Sequence, residues 1–195
     1  MRRSERKRET KETTVAVSVD LDGPGRAKVT TGLPFFDHML EQLGRHGGID
    51  LAIEARGDLE VDSHHTVEDV GIVLGEAVAE AMGDKSGVRR FGWAIVPLDD
   101  AAAQVALDLS GRAYLLWEVD PGSERLGTFD PQLAEEFMRA FATSAGLTIH
   151  VRMLSGKNPH HILECAFKGV ARALSDALSP DPRRDAGAPS TKGAL

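Results

Sequence analysis

Apolar and polar residues alternate near the start of the chain as a half-buried strand requires. Val15, Val17 and Val19 share one face of residues 13–20, and residues 25–30 alternate likewise. Asp22-Gly23-Pro24-Gly25 between them has turn chemistry, so the two segments are expected to form a hairpin. The period then changes. Phe35, Phe36, Met39, Leu40 and Leu43 recur at helical spacing over residues 34–45, and Gly44, Gly47 and Gly48 stop that helix. A strand is predicted over 49–55. Val67, Val70, Val73, Leu74, Ala77, Val78 and Met82 then mark a long amphipathic helix from His64 to Met82, with Asp62 or Ser63 as its N-cap.

The second half repeats this order. Strands are predicted over 104–109 and 113–119 around Ser110-Gly111, Asp130-Pro131 opens a helix that Gly146 ends, a strand covers 148–153, and a last helix runs from His160 to Leu178. Each half therefore reads strand, strand, helix, strand, helix. Gly48-Ile49-Asp50-Leu51 matches Gly146-Leu147-Thr148-Ile149, and the same His-His-x-x-Glu follows each, as His64-His65 with Glu68 and His160-His161 with Glu164. Neither half alone comfortably buries its own sheet and helices. The expected fold is α+β, an internal duplication with two sheets packed on a layer of helices. One domain is expected over residues 1–195, with repeats at about 11–90 and 91–180 and a Pro-, Gly-, Ser- and charge-rich tail over 181–195.

Composition narrows the function classes. Of 195 residues, 42% are hydrophobic, and 23 Lys+Arg stand against 30 Asp+Glu for a net charge of −7, which argues against a nucleic-acid partner. The basic run Arg2, Arg3, Arg6, Lys7 and Arg8 is interrupted by Glu5 and Glu9 and reads as a solvated, frayed terminus. No apolar run approaches the roughly 18–20 residues that cross a bilayer, and no secretory stretch follows Met1, so a cytoplasmic protein without a membrane partner is expected. The single cysteine, Cys165, excludes a disulfide framework within the chain and a cysteine-rich zinc knuckle. Histidines and carboxylates remain as candidate metal ligands.

Four of the seven histidines lie in the two pairs. On a helix His64 and Glu68 share a face, whereas His65 is turned by about 100° from His64, so one ion cannot easily take both neighbours. The economical arrangement is two metal ions, with the pairs meeting across the duplication axis. Zinc, iron, manganese, cobalt and nickel all suit such a set. His38 on the preceding helix is a further candidate ligand, and its counterpart counted from Gly146 is Glu136; each is otherwise an exposed helix residue. His46 either reaches a substrate or complements its helix C-terminus. Arg90, Arg112, Lys168, Ser190 and Lys192 carry the groups that bind a phosphate monoester, or else are solvated surface residues.

Together, Phe36-Asp37-His38-Met39-Leu40, Asp62-Ser63-His64-His65-Thr66-Val67-Glu68-Asp69, Leu107-Asp108-Leu109-Ser110-Gly111-Arg112, Gly156-Lys157-Asn158-Pro159-His160-His161 and Pro189-Ser190-Thr191-Lys192-Gly193 resemble the imidazoleglycerol-phosphate dehydratase family. The resemblance covers Glu12 to Lys192. It implies dehydration of D-erythro-imidazoleglycerol phosphate to imidazole acetol phosphate in histidine biosynthesis. It also implies two Mn2+ per site and a large homo-oligomer of twenty-four subunits whose sites are completed by neighbours. The ligands it implies are His38, His64, His65, Glu68, His160, His161 and Glu164, with Glu136 standing where some members are expected to have histidine. Substrate contacts are implied for Glu12, His38, His46, Arg90, Arg112, Lys168, Ser190 and Lys192, and proton transfer for Glu12 and Glu164. No carbonyl lies beside the proton lost in that reaction, which is why metals on the ring nitrogens are needed. The competing reading is a dinuclear metallohydrolase of a phosphorylated small molecule.

Overall fold

The structure, a computed structural model, describes residues 1–182. Its first unit runs β1 (Arg3–Glu9), β2 (Thr13–Asp20), β3 (Ala27–Thr30), α1 (Pro34–Gly47), β4 (Asp50–Gly57) and α2 (His64–Met82). The second runs β5 (Phe91–Leu98), β6 (Ala101–Asp108), β7 (Tyr114–Glu118), α3 (Leu133–Ala145), β8 (Thr148–Ser155) and α4 (Pro159–Leu178). Both units form a four-stranded sheet of the same topology, in the orders β1-β2-β4-β3 and β5-β6-β8-β7.

Each unit thus has a leading strand that hydrophobic alternation did not announce. The basic stretch at the N-terminus is β1, not a frayed end. Its residues are mostly exposed, but it pairs antiparallel with β2 over its whole length, and its cations meet acids of the same unit. Arg2 bonds Asp22, Arg3 bonds Asp20, and Arg8 reaches Asp69 on α2 at 3.1 Å. In β5 the usual rule is inverted: Phe91, Trp93 and Ile95 face outward while Gly92 faces α4. A Cβ at Gly92 would lie 1.8 Å from the Ala173 carbonyl oxygen, so only glycine lets β5 approach α4 this closely.

The expected hairpins of β2 with β3 and of β6 with β7 do not form. β4 inserts between β2 and β3, antiparallel to the first and parallel to the second, and β8 does the same between β6 and β7. The long alternating strands take the central places and the short β3 and β7 take the edges, which the crossovers through α1 and α3 allow. The true hairpins are β1-β2 and β5-β6.

The four helices lie between the inner faces of the two sheets, α1 against α4 and α2 against α3. Val15, Val17, Leu51 and Ile53 cover them from one side, and Val105, Leu107, Ile149 and Val151 from the other. Phe36 stacks on Phe129 and meets Phe137, which in turn stacks on Phe141 and Phe167, joining the two units in one core. A Cβ at Gly75 of α2 would sit 2.6 Å from Ser144 Cβ, so the α2–α3 crossing depends on its absence. Gly48 and Gly146, both at φ 64°, end α1 and α3 in the left-handed conformation that glycine adopts at least cost.

Candidate metal centre

Both paired histidines begin a helix, and local side chains fix where each helix starts. Asn158 caps α4: its side-chain oxygen accepts the backbone N–H of His160 at 2.9 Å and of His161 at 3.5 Å. Asp62 serves α2 likewise, accepting from the His64 N–H at 3.0 Å, while Ser63 occupies the cap position without a side-chain bond. Adjacent imidazoles then diverge, with the rings of His64 and His65 at 86° and those of His160 and His161 at 82°.

His38, from α1, joins His160 and Glu164 of α4. Glu164 Oε2 lies 2.9 Å from His160 Nε2 and 3.4 Å from His38 Nε2, and these three donor atoms all fall within 4.8 Å of one another. Two imidazole nitrogens and a carboxylate oxygen at that spacing suit a divalent transition metal. Burial pushes the Glu164 carboxyl up, but bonds from Lys168 and His160, the Lys168 charge and the His38 bond outweigh it and hold the group at about 2. Glu164 is therefore an anion at neutral pH.

Two further residues line up behind His38. Gln42 Nε2 is 3.4 Å from His38 Nδ1, and Gln42 Oε1 is 3.0 Å from His46 Nε2. Burial lowers the His46 pKa, helped by the charges of Lys168 and Arg172, so His46 is neutral at neutral pH.

The second histidine of each pair is held by an aspartate. His161 Nδ1 is 2.6 Å from Asp100 Oδ1, and His65 Nδ1 is 3.1 and 3.2 Å from the two oxygens of Asp58. A carboxylate only accepts, so Nδ1 carries the proton and Nε2 is left for another partner. Asp58 raises the His65 pKa, with Glu12 and Asp62 adding their charges. Neither aspartate was singled out from sequence. Asp58 precedes His65 by only seven positions, and a carboxylate at that loop position was the available signal; Asp100 is 61 positions from His161, and nothing local links them.

The remaining expected site residues are dispersed. His64 and Glu68 face each other at 3.9 Å on α2, and Glu12 lies 3.9 Å from His65 Nδ1. Glu136 is half-buried in the first turn of α3. Lys168 is bound to Glu164, Arg90 is bound to Asp108 at 2.7 Å and packs over Phe91, and Arg112 is exposed beyond β6. Ser190 and Lys192 lie outside the described residues. Among the described residues the three-donor group draws on α1 and α4 and takes nothing from α2. Among the described residues no group of three such donors draws on both histidine pairs.

Fold and site together define a duplicated α+β enzyme scaffold with a histidine–carboxylate centre at helix N-termini. The sequence model of imidazoleglycerol-phosphate dehydratase matches residues 31–174. The chain is 53% identical over 195 residues, all of both chains, to an imidazoleglycerol-phosphate dehydratase of Cereibacter sphaeroides, and 55% identical over the same span to one of Dinoroseobacter shibae. The crystal structure of the Staphylococcus aureus enzyme superposes with a TM-score of 0.83 at 37% identity, covering 92% of this chain and 99% of that one. The Pyrococcus furiosus enzyme, in complex with (S)-C348, gives 0.83 at 38% identity over 97% and 100%. The chain belongs to the imidazoleglycerol-phosphate dehydratase family.

Proposed function

We infer that the His38, His160 and Glu164 group is half of a two-metal site that dehydrates imidazoleglycerol phosphate, the other half being supplied by a neighbouring subunit. The protein is a hydro-lyase of histidine biosynthesis, and it forms imidazole acetol phosphate. The convergence of three donor atoms from α1 and α4 carries this reading. His161 on α4, with His64, His65, Glu68 and Glu136 from α2 and α3, would complete the ligand set once copies assemble. Two bound cations, manganese in this reading, would supply Lewis acidity to the ring nitrogens of the substrate.

The chain's own groups divide the remaining work. A carboxyl held at about 2 and bonded to Lys168 is a poor proton carrier near neutrality, so Glu164 acts as ligand. Glu12, with 57% of its side chain exposed and beside His65, is the proton carrier. His46, kept neutral by burial, supports His38 through Gln42 and contacts the substrate. Arg90, Arg112, Lys168, Ser190 and Lys192 hold the phosphate and orient the reacting end. Release of Lys168 from Glu164 would accompany phosphate binding.

Assembly is supported by the outer face of the second sheet. Phe91, Trp93, Ile95, Tyr114 and Leu154 are each between 56% and 71% exposed there, an apolar area of the kind that another copy covers. We place the enzyme in the cytoplasm as a homo-oligomer of twenty-four subunits; among the described residues no helix is long and apolar enough to cross a membrane.

The test is incubation of the purified protein with imidazoleglycerol phosphate and Mn2+. Ketone formation without phosphate release is expected. Liberated inorganic phosphate would instead make it a metallohydrolase, and wild-type turnover by rigorously metal-free protein would refute the metal chemistry.

A further inference from the structure

The duplication puts Glu12 and Asp100 at the same place in the two units. Arg3 faces Asp20 across β1-β2 just as Phe91 faces Asp108 across β5-β6, and the residue immediately before β2 is Glu12, whereas that immediately before β6 is Asp100. Each therefore closes the hairpin of its unit beside the second histidine of that unit's pair.

Their contacts differ. Asp100 Oδ1 accepts from His161 Nδ1–H at 2.6 Å, and Oδ2 accepts the backbone N–H groups of Lys157 at 2.6 Å and Asn158 at 3.0 Å, on the segment entering α4. Glu12 stays 3.9 Å from His65 Nδ1, because both oxygens of Asp58 already occupy that nitrogen. Asp58 directly follows β4. The position directly after β8 is Gly156, where φ is 153° and a Cβ would lie 2.6 Å from Ile162 Cγ1. The second unit thus has no room for a carboxylate in the place Asp58 holds.

We propose that Asp100 is a positioning residue that fixes His161 as the Nδ1–H tautomer for metal binding through Nε2, while its twin Glu12, relieved of that task by Asp58, is left to carry protons. The role given to Glu12 rests on the function proposed above; the role given to Asp100 rests on the hydrogen bonds alone. A carboxylate on Nδ1–H leaves the Nε2 lone pair outward and makes the ring a better donor. The Nε2 side of His161 faces the exposed Asp99 carboxylate at 3.7 Å.

Asparagine at position 100 separates the two duties of this side chain. Its amide oxygen can still accept from Lys157 and Asn158, but its NH2 group would confront Nδ1–H. His161 must then accept at Nδ1 and carry its proton on Nε2, which removes the metal-binding lone pair.

The experiment is Mn2+ titration of the assembled protein by electron paramagnetic resonance, with thermal melting of each metal-free variant alongside. Asp100→Asn is expected to weaken Mn2+ binding by about 10- to 100-fold with an unchanged melting temperature, and Asp100→Glu to recover most of the affinity. Asp58→Asn should weaken binding similarly, whereas Glu12→Gln should bind Mn2+ as the parent does while losing turnover. Parent-like affinity in Asp100→Asn would overturn the proposal. So would a fall in melting temperature that accounts for the metal loss and that glutamate does not reverse, or equal metal loss in Glu12→Gln. Absence of dehydratase turnover in the parent, with the metal pattern intact, would refute the reaction and leave the role of Asp100 standing.

Discussion

Lys168 Nζ lies 2.6 Å from Glu164 Oε1, one helical turn along α4, while the other oxygen of the same carboxylate faces His160 and His38. One carboxylate therefore joins the cationic group expected to meet phosphate with the imidazoles expected to meet metal. Because the pair is mostly buried, its loss should be felt in stability as well as in chemistry.

Lys168→Met should destabilise the metal-free protein by about 1.5–3 kcal/mol at neutral pH. The native Glu164 pKa, about 2, lies below its ordinary value of 4.5. Its contribution is therefore complete above pH 4.5 and is lost as pH falls toward 2. Chemical denaturation of both proteins across that range should show the parent losing more stability than the variant; parallel curves would place the stabilisation elsewhere.

His65→Ala and His161→Ala should each abolish turnover and lower the metal bound per subunit. Elemental analysis after dialysis checks this. A variant that keeps its full metal complement would remove that histidine from the ligand set.

Gln42→Leu removes the only side chain seen between His38 and His46 among the described residues. Metal binding at His38 Nε2 requires the Gln42 amide to turn so that its oxygen accepts from Nδ1–H and its NH2 group meets the neutral His46; without that support the ring should bind metal about 10-fold less tightly, read by competition with a chelator. Unaltered affinity would mean that α1 packing alone orients His38.

Trp93→Glu places a charge in the apolar outer face of the second sheet. Sedimentation should show smaller particles, with turnover lost in proportion if sites are shared between copies. Fully assembled variant protein would move the interface to another face.

Lys192→Ala should chiefly raise KM through weaker phosphate binding, with kcat little changed. Steady-state kinetics decide it, and an unchanged KM would take the C-terminal segment out of the site.

Much of the site was written in short-range pattern. The spacing of His64, His65 and Glu68 and its repetition at His160, His161 and Glu164 placed both groups at helix starts, and the structure begins α2 and α4 there. Lys168 stands four residues after Glu164, a spacing that puts both on one helix face, and the two side chains are in contact. The missing parts had no local signature. β1 carries charges where a strand is expected to alternate, and β5 turns its aromatic residues outward, so periodicity passed over both.

Residue spacing alone determined the duplication, the four helices, the glycine stops of α1 and α3, and which donor types could serve a metal, because a helical face or a cap depends only on neighbours within a turn or two. Tertiary structure decided that β4 and β8 would separate the expected hairpins, that His38 would meet Glu164, and that Asp100 would hold His161. Those outcomes depend on which faces of distant segments bury one another, and two sheets closing over one helical layer leave few ways to do so.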